Sequence, residues 1–292
     1  MVVKKRALSY NVGVMSQNHD FHPTASIDAK SQIGDHVKIG AYVTIEEGVI
    51  IGDNTTILHH AHIGKGTVLG KNNRIHMGAV IGHEAQHREA ETIQSFLKIG
   101  DNNTFREYTT IHRGATKGAY TRIGNDNYFM AFAHVGHDCE IQNRVTVTNA
   151  VLLGGHVLLE NDCVLSGGSG VHQFCRIGSY AMIGGMATIT KDVPPFMLVD
   201  DSGLLIGSMN IIGLRRAGVA ESVKREIKNA YKLLYLSGLN TAQALDEIIQ
   251  KCHSEEISHL VEFIKNSKRG ILPHRHKKPI FPIISSIIPG SV

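Results

Sequence analysis

Residues 123–189 read IGNDNY-FMAFAH-VGHDCE-IQNRVT-VTNAVL-LGGHVL-LENDCV-LSGGSG-VHQFCR-IGSYAM-IGGMAT-I, a run of six-residue units. Each unit opens on a bulky apolar residue, twelve in twelve positions from Ile123 to Ile189. Four places later stands a second residue, nearly always small or β-branched: Asn127, Ala133, Cys139, Val145, Val151, Val157, Cys163, Ser169, Cys175, Ala181, Ala187 and Val193. This period fits neither an amphipathic helix nor a two-residue strand alternation. It predicts a parallel β-helix in which each hexad forms one short strand and a corner, and three hexads make one coil.

The same period begins upstream of this stretch. Every sixth residue from Ile27 to Ile81 is Ile or Leu, and the pattern resumes from Ile99 to Ile111. Polar loops interrupt it at 83–96 and 112–121. Together the chain contains 25 hexads, which predicts about eight coils. Loops excluded from a regular solenoid usually lie beside its binding surface.

The two ends of the chain differ from the repeat. Residues 1–21 are predicted to be an N-terminal extension without a secretory signal, and residues 22–197 the β-helix. After Asp192-Val193-Pro194-Pro195 the apolar spacing becomes helical, which predicts a helical domain over 198–272. Its first helix carries Val223 to Leu234, its second is capped by Asn240 or Thr241, and its third by Ser254. Residues 273–292 are predicted to be a C-terminal tail.

Composition excludes several classes of function. The chain is 42% apolar and 19% charged with a net charge of +4, so it lacks the basic surface of a nucleic-acid-binding protein. Apolar runs stay well short of the ~20 residues of a spanning helix, so stable membrane insertion is not expected. Three of the four cysteines occupy the small inward register. They are expected to be packing residues in a reducing compartment, and the protein is expected to be cytoplasmic.

Spacing in a β-helix brings distant residues together, because residues ~18 apart stack on successive coils. His137, His156 and His172 are therefore expected near one edge on three coils, with His134 and Asp138 flanking His137. Corner histidines are also common without any function, since corners are exposed. The clustering favours a chemical role.

Two kinds of chemistry suit these histidines. Three imidazoles on neighbouring coils can bind zinc and leave a coordination position open for hydroxide. Alternatively, a neutral imidazole oriented by Asp138 can take a proton from a sugar hydroxyl or amine that attacks an acyl thioester. In that case the backbone N–H groups of Gly154-Gly155 can stabilise the developing oxyanion.

A specific resemblance rests on motifs in the repeat and the helical domain: His22-Pro23-Thr24-Ala25, Ile111-His112-Arg113-Gly114, Ala133 to Cys139, Gly154-Gly155-His156-Val157, Val171-His172-Gln173-Phe174-Cys175, Asp192-Val193-Pro194-Pro195 and Asn229-Ala230-Tyr231-Lys232-Leu233. In order and spacing they resemble the bacterial UDP-N-acetylglucosamine acyltransferases, which begin lipid A synthesis. The match runs from about His22 to Leu272. The hexads alone are shared by many acyl- and acetyltransferases.

This resemblance implies a homotrimer of left-handed β-helices with active sites between subunits, acyl carrier protein as the acyl donor, a UDP-sugar as acceptor and no cofactor. It implies that His137 is the general base, supported by Asp138, and that Gly155 supplies the oxyanion donor. The resemblance assigns substrate contacts to His134, His156, His172, Gln173 and Gln86, and nucleotide contacts to Asn210 and Arg216. Met182 and Gly185 correspond to positions that set acyl-chain length, and Gly185 leaves room for a long 3-hydroxyacyl chain.

The chain departs from the family pattern on the nucleotide-sugar side. His87 and Glu89 stand where the family has Asp and Lys, Ile212 where Glu is usual, and Ala217 where a second Arg is usual. An alternative is therefore a paralogue that acylates another nucleotide sugar, such as a 3-amino sugar. Two further alternatives are a metal-dependent hydratase resembling the gamma-class carbonic anhydrases and a catalytically silent scaffold.

Overall fold

The computed structural model describes residues 20–88, 94–201 and 204–274. Short strands follow one another along most of this range: β1 Asp20–Phe21, β2 Ser26–Ile27, β3 Gln32–Ile33, β4 Lys38–Ile39, β5 Thr44–Ile45, β6 Ile50–Ile51, β7 Thr56–Ile57, β8 His62–Ile63, β9 Thr67–Leu69, β10 Arg74–Ile75, β11 Val80–His83, β12 Phe96–Ile99, β13 Thr104–Phe105, β14 Thr110–His112, β15 Tyr120–Ile123, β16 Tyr128–Phe129, β17 His134–Val135, β18 Glu140–Ile141, β19 Thr146–Val147, β20 Leu152–Leu153, β21 Leu158–Leu159, β22 Val164–Leu165, β23 Gly170–Val171, β24 Arg176–Ile177, β25 Met182–Ile183, β26 Thr188–Ile189, β27 Met197–Val199 and β28 Ile206–Met209. The four helices are α1 Ile211–Arg216, α2 Glu221–Tyr235, α3 Thr241–Lys251 and α4 Glu255–Lys265.

The strands stack into three parallel sheets, in which every third strand of the regular region is a neighbour. The partner of Glu140 is Leu158, 18 residues away. The chain therefore winds as a left-handed parallel β-helix. The predicted hexads correspond to β2 through β26, while β1 and β27 continue the stack at either end. At three strands per coil, β1 to β26 and the bridge of Val193 to Ile177 make nine coils, one more than predicted, and β27 stacks on β25 as the start of another.

Both registers of the hexad point into the core, as predicted. The leading apolar residues are buried from Ile39 onward, while Ile27 and Ile33 in the first coil are partly buried. Phe105 and Phe129 stack inside with ring centroids 5.0 Å apart. Asn127 is also buried, because its side chain donates to the Gln142 carbonyl and accepts from Val145 N–H. A buried amide with partners avoids the desolvation cost of an unpaired one.

The cysteines are core packing residues. Cys139, Cys163 and Cys175 are buried and free of disulfides. Burial raises the pKa of the Cys139 thiol to about 12 and that of Cys175 to about 11. Thiols in this state are poor nucleophiles, because the thiolate is the reactive form.

The corners require an unusual backbone. One residue of many corners has a positive φ, including Asp138 at 58° and His156 at 60°. Non-glycine residues adopt this region uncommonly, and Asn, Asp and His do so most readily. The positive φ of the corners is therefore a structural reason for histidine and aspartate at these positions, in addition to any catalytic role.

The two loops are slightly shorter than predicted. His83 and Phe96 belong to β11 and β12, and His112 and Tyr120 belong to β14 and β15. Phe96 pairs with Tyr120, and their rings stack with centroids 4.9 Å apart. These aromatic residues lengthen the strands at the loop ends, an effect that the hexad count does not reveal.

The helical domain contains the three predicted helices α2, α3 and α4, and also the short helix α1, which was not predicted. Asn240 caps α3 through a capping box with Gln243. Ser254 is at the N-cap of α4, but its hydroxyl forms no capping bond, so the prediction of side-chain capping there was wrong. Glu226 accepts hydrogen bonds from the Ser254 and His253 N–H groups instead.

The helical domain is joined to the last coils by polar contacts. His259 on α4 lies 2.7 Å from the buried Glu160 carboxylate, measured from Nε2 to Oε2. The Arg176 guanidinium lies over the Phe263 ring, 4.0 Å from its centroid. The Arg176 side chain also donates to the Phe263 carbonyl. These contacts orient α4 against the β-helix.

The strands of the β-helix extend beyond both predicted limits of that domain. Asp20–Phe21 pairs with Lys38–Ile39, so the β-helix begins inside the predicted extension. The first sheet continues past residue 197 through β27 and the antiparallel β28. Residues 1–19, Glu89 and the basic tail from 275 onward lie outside the described part. Within that part, no helix has both the length and the apolar character to cross a membrane.

Candidate active site

His137 and Asp138 lie in the corner that follows β17. The Nδ1–H of His137 donates to Oδ2 of Asp138 across 2.7 Å. The two side chains are 20% and 11% exposed. Because a carboxylate on Nδ1 fixes the proton there, the lone pair of Nε2 is available as a base.

The Asp138 carboxylate is held by the second loop. Its Oδ2 accepts a hydrogen bond from Ala115 N–H at 3.0 Å, and the Asp138 N–H donates to Thr121 Oγ1 at 2.8 Å. Neither Ala115 nor Thr121 is predicted as a site residue from the sequence. The only signal in the sequence was that the second loop interrupts the hexad repeat, since such loops usually lie beside the binding surface.

His156 lies on the next coil. Its N–H donates to the His137 carbonyl at 2.9 Å, and the two rings are perpendicular with centroids 5.3 Å apart. Its Nε2 is 3.7 Å from Asp138 Oδ2. The ring of Phe174, one coil further, stacks on His156 with centroids 4.5 Å apart. Phe174 thus orients His156, a role that the sequence analysis missed.

Gly155 is adjacent to the base. A Cβ at this position would lie 2.5 Å from Cε1 and 2.7 Å from Nε2 of His137, so only glycine leaves the ring its place. Within the described part of the chain, the Gly155 N–H has no hydrogen-bond acceptor. Gly155 therefore presents a free donor beside the imidazole, the arrangement that an oxyanion requires.

His134 and His112 form a second, more buried pair. The Nδ1 of His134 is hydrogen-bonded to Thr110 Oγ1 at 2.8 Å, and burial lowers the pKa of His134 to about 4. The His112 ring is 5.2 Å away, and its Nδ1–H donates to the Glu84 carbonyl. Burial also lowers the pKa of His112. Both rings are neutral near pH 7, so they act as hydrogen-bonding groups rather than cations.

The first loop brings His87 to the site. The His87 ring packs edge-on against His137, with centroids 6.2 Å apart. Gln86 and His87 are both exposed. The structure therefore places one of the residues that departs from the family pattern in contact with the candidate base, whereas Glu89 is not described.

His172 does not join the closest group. Among the described residues, His137, Asp138 and His156 have donor atoms within 4.8 Å of one another, and His172 is not part of this set. Its exposed ring instead bonds the carbonyl of the next residue, Gln173, at 3.2 Å. The described residues therefore do not form the three-histidine zinc site that was one of the two alternatives, because His172 stands two residues earlier in its hexad than His156.

Gly185 and Met182 are on the coil beyond Gly167. A Cβ on Gly185 would meet its nearest neighbour, the Gly167 carbonyl, only at 3.7 Å. Met182 is partly buried in β25. A side chain at Gly185 would therefore meet little of this chain.

The predicted nucleotide contacts lie on α1. Asn210 is its N-cap: Oδ1 accepts from Gly213 N–H and Nδ2 donates to the Tyr180 carbonyl. The Asn210 amide thus has a local structural role that the sequence analysis did not foresee. Arg216 is exposed in the last turn, as are Ile212 and Ala217.

Comparisons with known families match both parts of the chain. Residues 192–272 match the family described as UDP N-acetylglucosamine O-acyltransferase, domain 2. Residues 30–65 and 48–83 match the bacterial transferase hexapeptide family. An acyl-(acyl-carrier-protein)–UDP-N-acetylglucosamine O-acyltransferase from Halorhodospira halophila is 40% identical over 253 residues, 86% of this chain and 98% of that protein. A protein of the same name from Gloeothece citriformis is 43% identical over 204 residues, 68% of this chain and 74% of that protein.

Solved structures give the same result. The UDP-N-acetylglucosamine acyltransferase of Bacteroides fragilis superposes with a TM-score of 0.84 at 39% identity, covering 86% of this chain and 99% of its own. That of Francisella novicida has a TM-score of 0.83 at 37% identity, covering 87% and 94%. The similarity spans the β-helix and the helical domain together.

Proposed function

Since the chain belongs to the family of UDP-N-acetylglucosamine O-acyltransferases, we propose that it moves a 3-hydroxyacyl chain from acyl carrier protein to the 3-position of UDP-N-acetylglucosamine. This is the first step of lipid A biosynthesis. The observation that carries the proposal is the His137–Asp138 pair, with Nε2 of His137 beside the free N–H of Gly155.

His137 is the general base. Its Nε2 takes the proton of the 3-hydroxyl as that oxygen forms a bond to the thioester carbonyl carbon. The imidazolium is stabilised by Asp138, whose distance of 2.7 Å from Nδ1 is that of a charge-assisted hydrogen bond. When the C–S bond breaks, the leaving thiolate of the carrier protein receives this proton from Nε2 and becomes a thiol. A positioned base of this kind contributes about 10²- to 10⁴-fold in rate.

The Gly155 N–H is the donor to the oxyanion. The carbonyl oxygen of the thioester becomes negatively charged in the tetrahedral intermediate, and a backbone N–H without another partner stabilises it without reorganisation. Because Gly155 has no Cβ, the thioester carbonyl can also approach His137 closely.

The remaining site residues bind the substrates. His134, which is neutral because its pKa is lowered by burial, suits a hydrogen bond to a sugar hydroxyl. We assign Gln86, His87, His156, His172 and Gln173 to the walls of the sugar and acyl site. We assign Asn210 and Arg216 to the binding of the nucleotide. The exposed guanidinium of Arg216 suits a phosphate group.

The acyl chain extends past Met182 and Gly185. The free space at Gly185 supports acceptance of a long chain. Replacing Gly185 with Met should fill that space and shorten the preferred acyl chain, while Gly207→Ala, in β28, should leave it unchanged. The readout is the ratio of products formed from carriers loaded with long and short 3-hydroxyacyl chains.

The proposal includes the assembly and its partners. The enzyme is proposed to be a cytoplasmic homotrimer with its active sites between subunits and with acyl carrier protein as donor. No metal or organic cofactor is needed, because a thioester is already activated and the base and oxyanion donor come from the chain itself. Sedimentation velocity tests the trimer, and turnover in the presence of a chelator tests the independence from metal.

The central test is product formation measured by mass spectrometry. Wild type, His137→Ala and the control His36→Asn, at a positive-φ corner outside the site, are supplied with 3-hydroxyacyl carrier protein and either UDP-N-acetylglucosamine or its 3-amino analogue. Product on the ordinary sugar that is lost only in His137→Ala supports the proposal. Product on the amino sugar alone would replace the acceptor and make His87 a determinant of specificity. Product from His137→Ala at the wild-type rate would refute the role of the base.

A further inference from the structure

We propose that His137, Asp138 and His156 form an inhibitory binding site for a divalent transition metal such as Zn²⁺. Their donor atoms all lie within 4.8 Å of one another. Two imidazoles and one carboxylate are the ligand set of many zinc sites that keep a fourth position for water. The binding site stands on this geometry alone, whereas its inhibitory effect rests on the proposed function of His137.

The separations between donor atoms suit a tetrahedral ion. Zinc ligands at 2.0–2.2 Å from the ion lie about 3.4 Å from one another. His137 Nδ1 is 2.7 Å and His156 Nε2 is 3.7 Å from Asp138 Oδ2. These two values lie on either side of the required distance, and the donor atoms of His137 and His156 are within 4.8 Å of each other.

The three ligands are held in place before any ion arrives. Asp138 accepts from Ala115 N–H, and His156 stacks on Phe174. The corner backbone at Asp138 and His156 is fixed by contacts between coils, including the bond from His156 N–H to the His137 carbonyl. The His156 side chain is 42% exposed, which gives an ion access from solvent. Ligands fixed by outer contacts bind metal more tightly than mobile ones.

Metal binding at this position changes the tautomer of the base. The ion takes the lone pair of His137 Nδ1 in place of the proton shared with Asp138. The neutral imidazole keeps one proton, which moves from Nδ1 to Nε2, so no proton is released. Nε2 then carries a hydrogen and cannot accept the proton of the acceptor hydroxyl. The metal therefore inhibits the reaction by binding Nδ1 of His137, because this forces the proton onto Nε2, the nitrogen that acts as the base.

The test is Zn²⁺ binding to the purified full-length protein, measured without substrates by competition with a chromophoric chelator. We expect one strong site per chain that weakens at least about tenfold in His156→Asn and in Asp138→Asn. Asparagine tolerates the positive φ of both corners. The matched control is His59→Asn with His60→Asn, a neighbouring pair of histidines whose second member is also at a positive-φ corner. The double variant should bind Zn²⁺ like wild type.

Equal affinity in wild type and His156→Asn, or loss of the strong site in the His59 and His60 control, would overturn the proposal. Inhibition is measured separately, as the Zn²⁺ concentration that halves turnover, and should rise by the same factor as the dissociation constant in variants that retain turnover. An inactive protein that still binds one Zn²⁺ through these residues would refute the proposed function only. An active protein without the strong site would refute the metal site only.

Discussion

Replacing Gly155 with Ala should displace the catalytic imidazole without unfolding the protein. The added Cβ would lie 2.5 Å from Cε1 of His137, whereas carbon atoms prefer separations of about 3.5 Å, so the ring must retreat by about 1 Å. A misplacement of this size costs about 10²-fold in rate. The backbone N–H remains, and Gly155 is not in the positive-φ region, so neither loss of the donor nor backbone strain complicates the result.

The assay is steady-state turnover with 3-hydroxyacyl carrier protein and UDP-N-acetylglucosamine, together with thermal unfolding of the same preparations. We expect kcat to fall about 10²-fold and stability to fall by about 1–3 kcal/mol, the usual cost of overpacking. Gly207→Ala is the control, because its Cβ makes only ordinary contacts at 3.7 Å or beyond. A kcat within about threefold of wild type for Gly155→Ala would show that the reaction does not depend on so precise a position of His137.

Three further substitutions test the electrostatics. Asp138→Asn should lower kcat about 10²-fold or more, because the Nδ1 proton of His137 loses its carboxylate acceptor, and unchanged turnover would contradict this. His134, whose pKa is lowered to about 4, stabilises the fold above pH 6.5 and loses this contribution as the pH falls towards 4. His134→Asn should therefore lose less Tm than wild type between pH 7 and pH 4.5, and parallel curves would refute the assignment. The hydrogen bond to Glu160 raises the pKa of His259, so its contribution is full below pH 6.5 and disappears as the pH rises through the raised value. The Tm difference between wild type and His259→Gln should then be larger at pH 6 than at pH 9, and a constant difference would count against the contact.

Much of the fold follows from local rules. Each hexad buries the same two positions, so the repeat itself predicts every strand from β2 to β26 and the stacking of residues 18 apart. The ends of the β-helix were harder to predict. Phe21 in β1 and Met197–Val199 in β27 join the stack, but both lie outside the hexads that run from Ile27 to Ile189. The short helix α1 was missed because six residues are too few to show a helical period.

The candidate site was predictable where it depends on the repeat. His137 and His156 differ by one coil plus one residue, and the structure places their rings 5.3 Å apart. The same arithmetic placed His172 on this edge, and it does follow β23, the neighbour of the strand β20 that precedes His156. Its donor atoms nevertheless lie outside the close group of His137, Asp138 and His156. The exclusion of His172 depends on where in its hexad the residue stands and on its bond to the Gln173 carbonyl.

The hexad repeat predicts how the chain winds, which registers are buried and on which edge the histidines lie, because it converts sequence spacing into position. Which side chains are in contact depends on long-range packing, which the repeat does not specify. The second loop supplies Ala115 and the strand β15 supplies Thr121 to Asp138. The first loop brings His87 against His137. Loops interrupt the period, so their direction depends on packing against distant coils. The chemistry of the site depends on those contacts, because they fix the carboxylate and the imidazole in place.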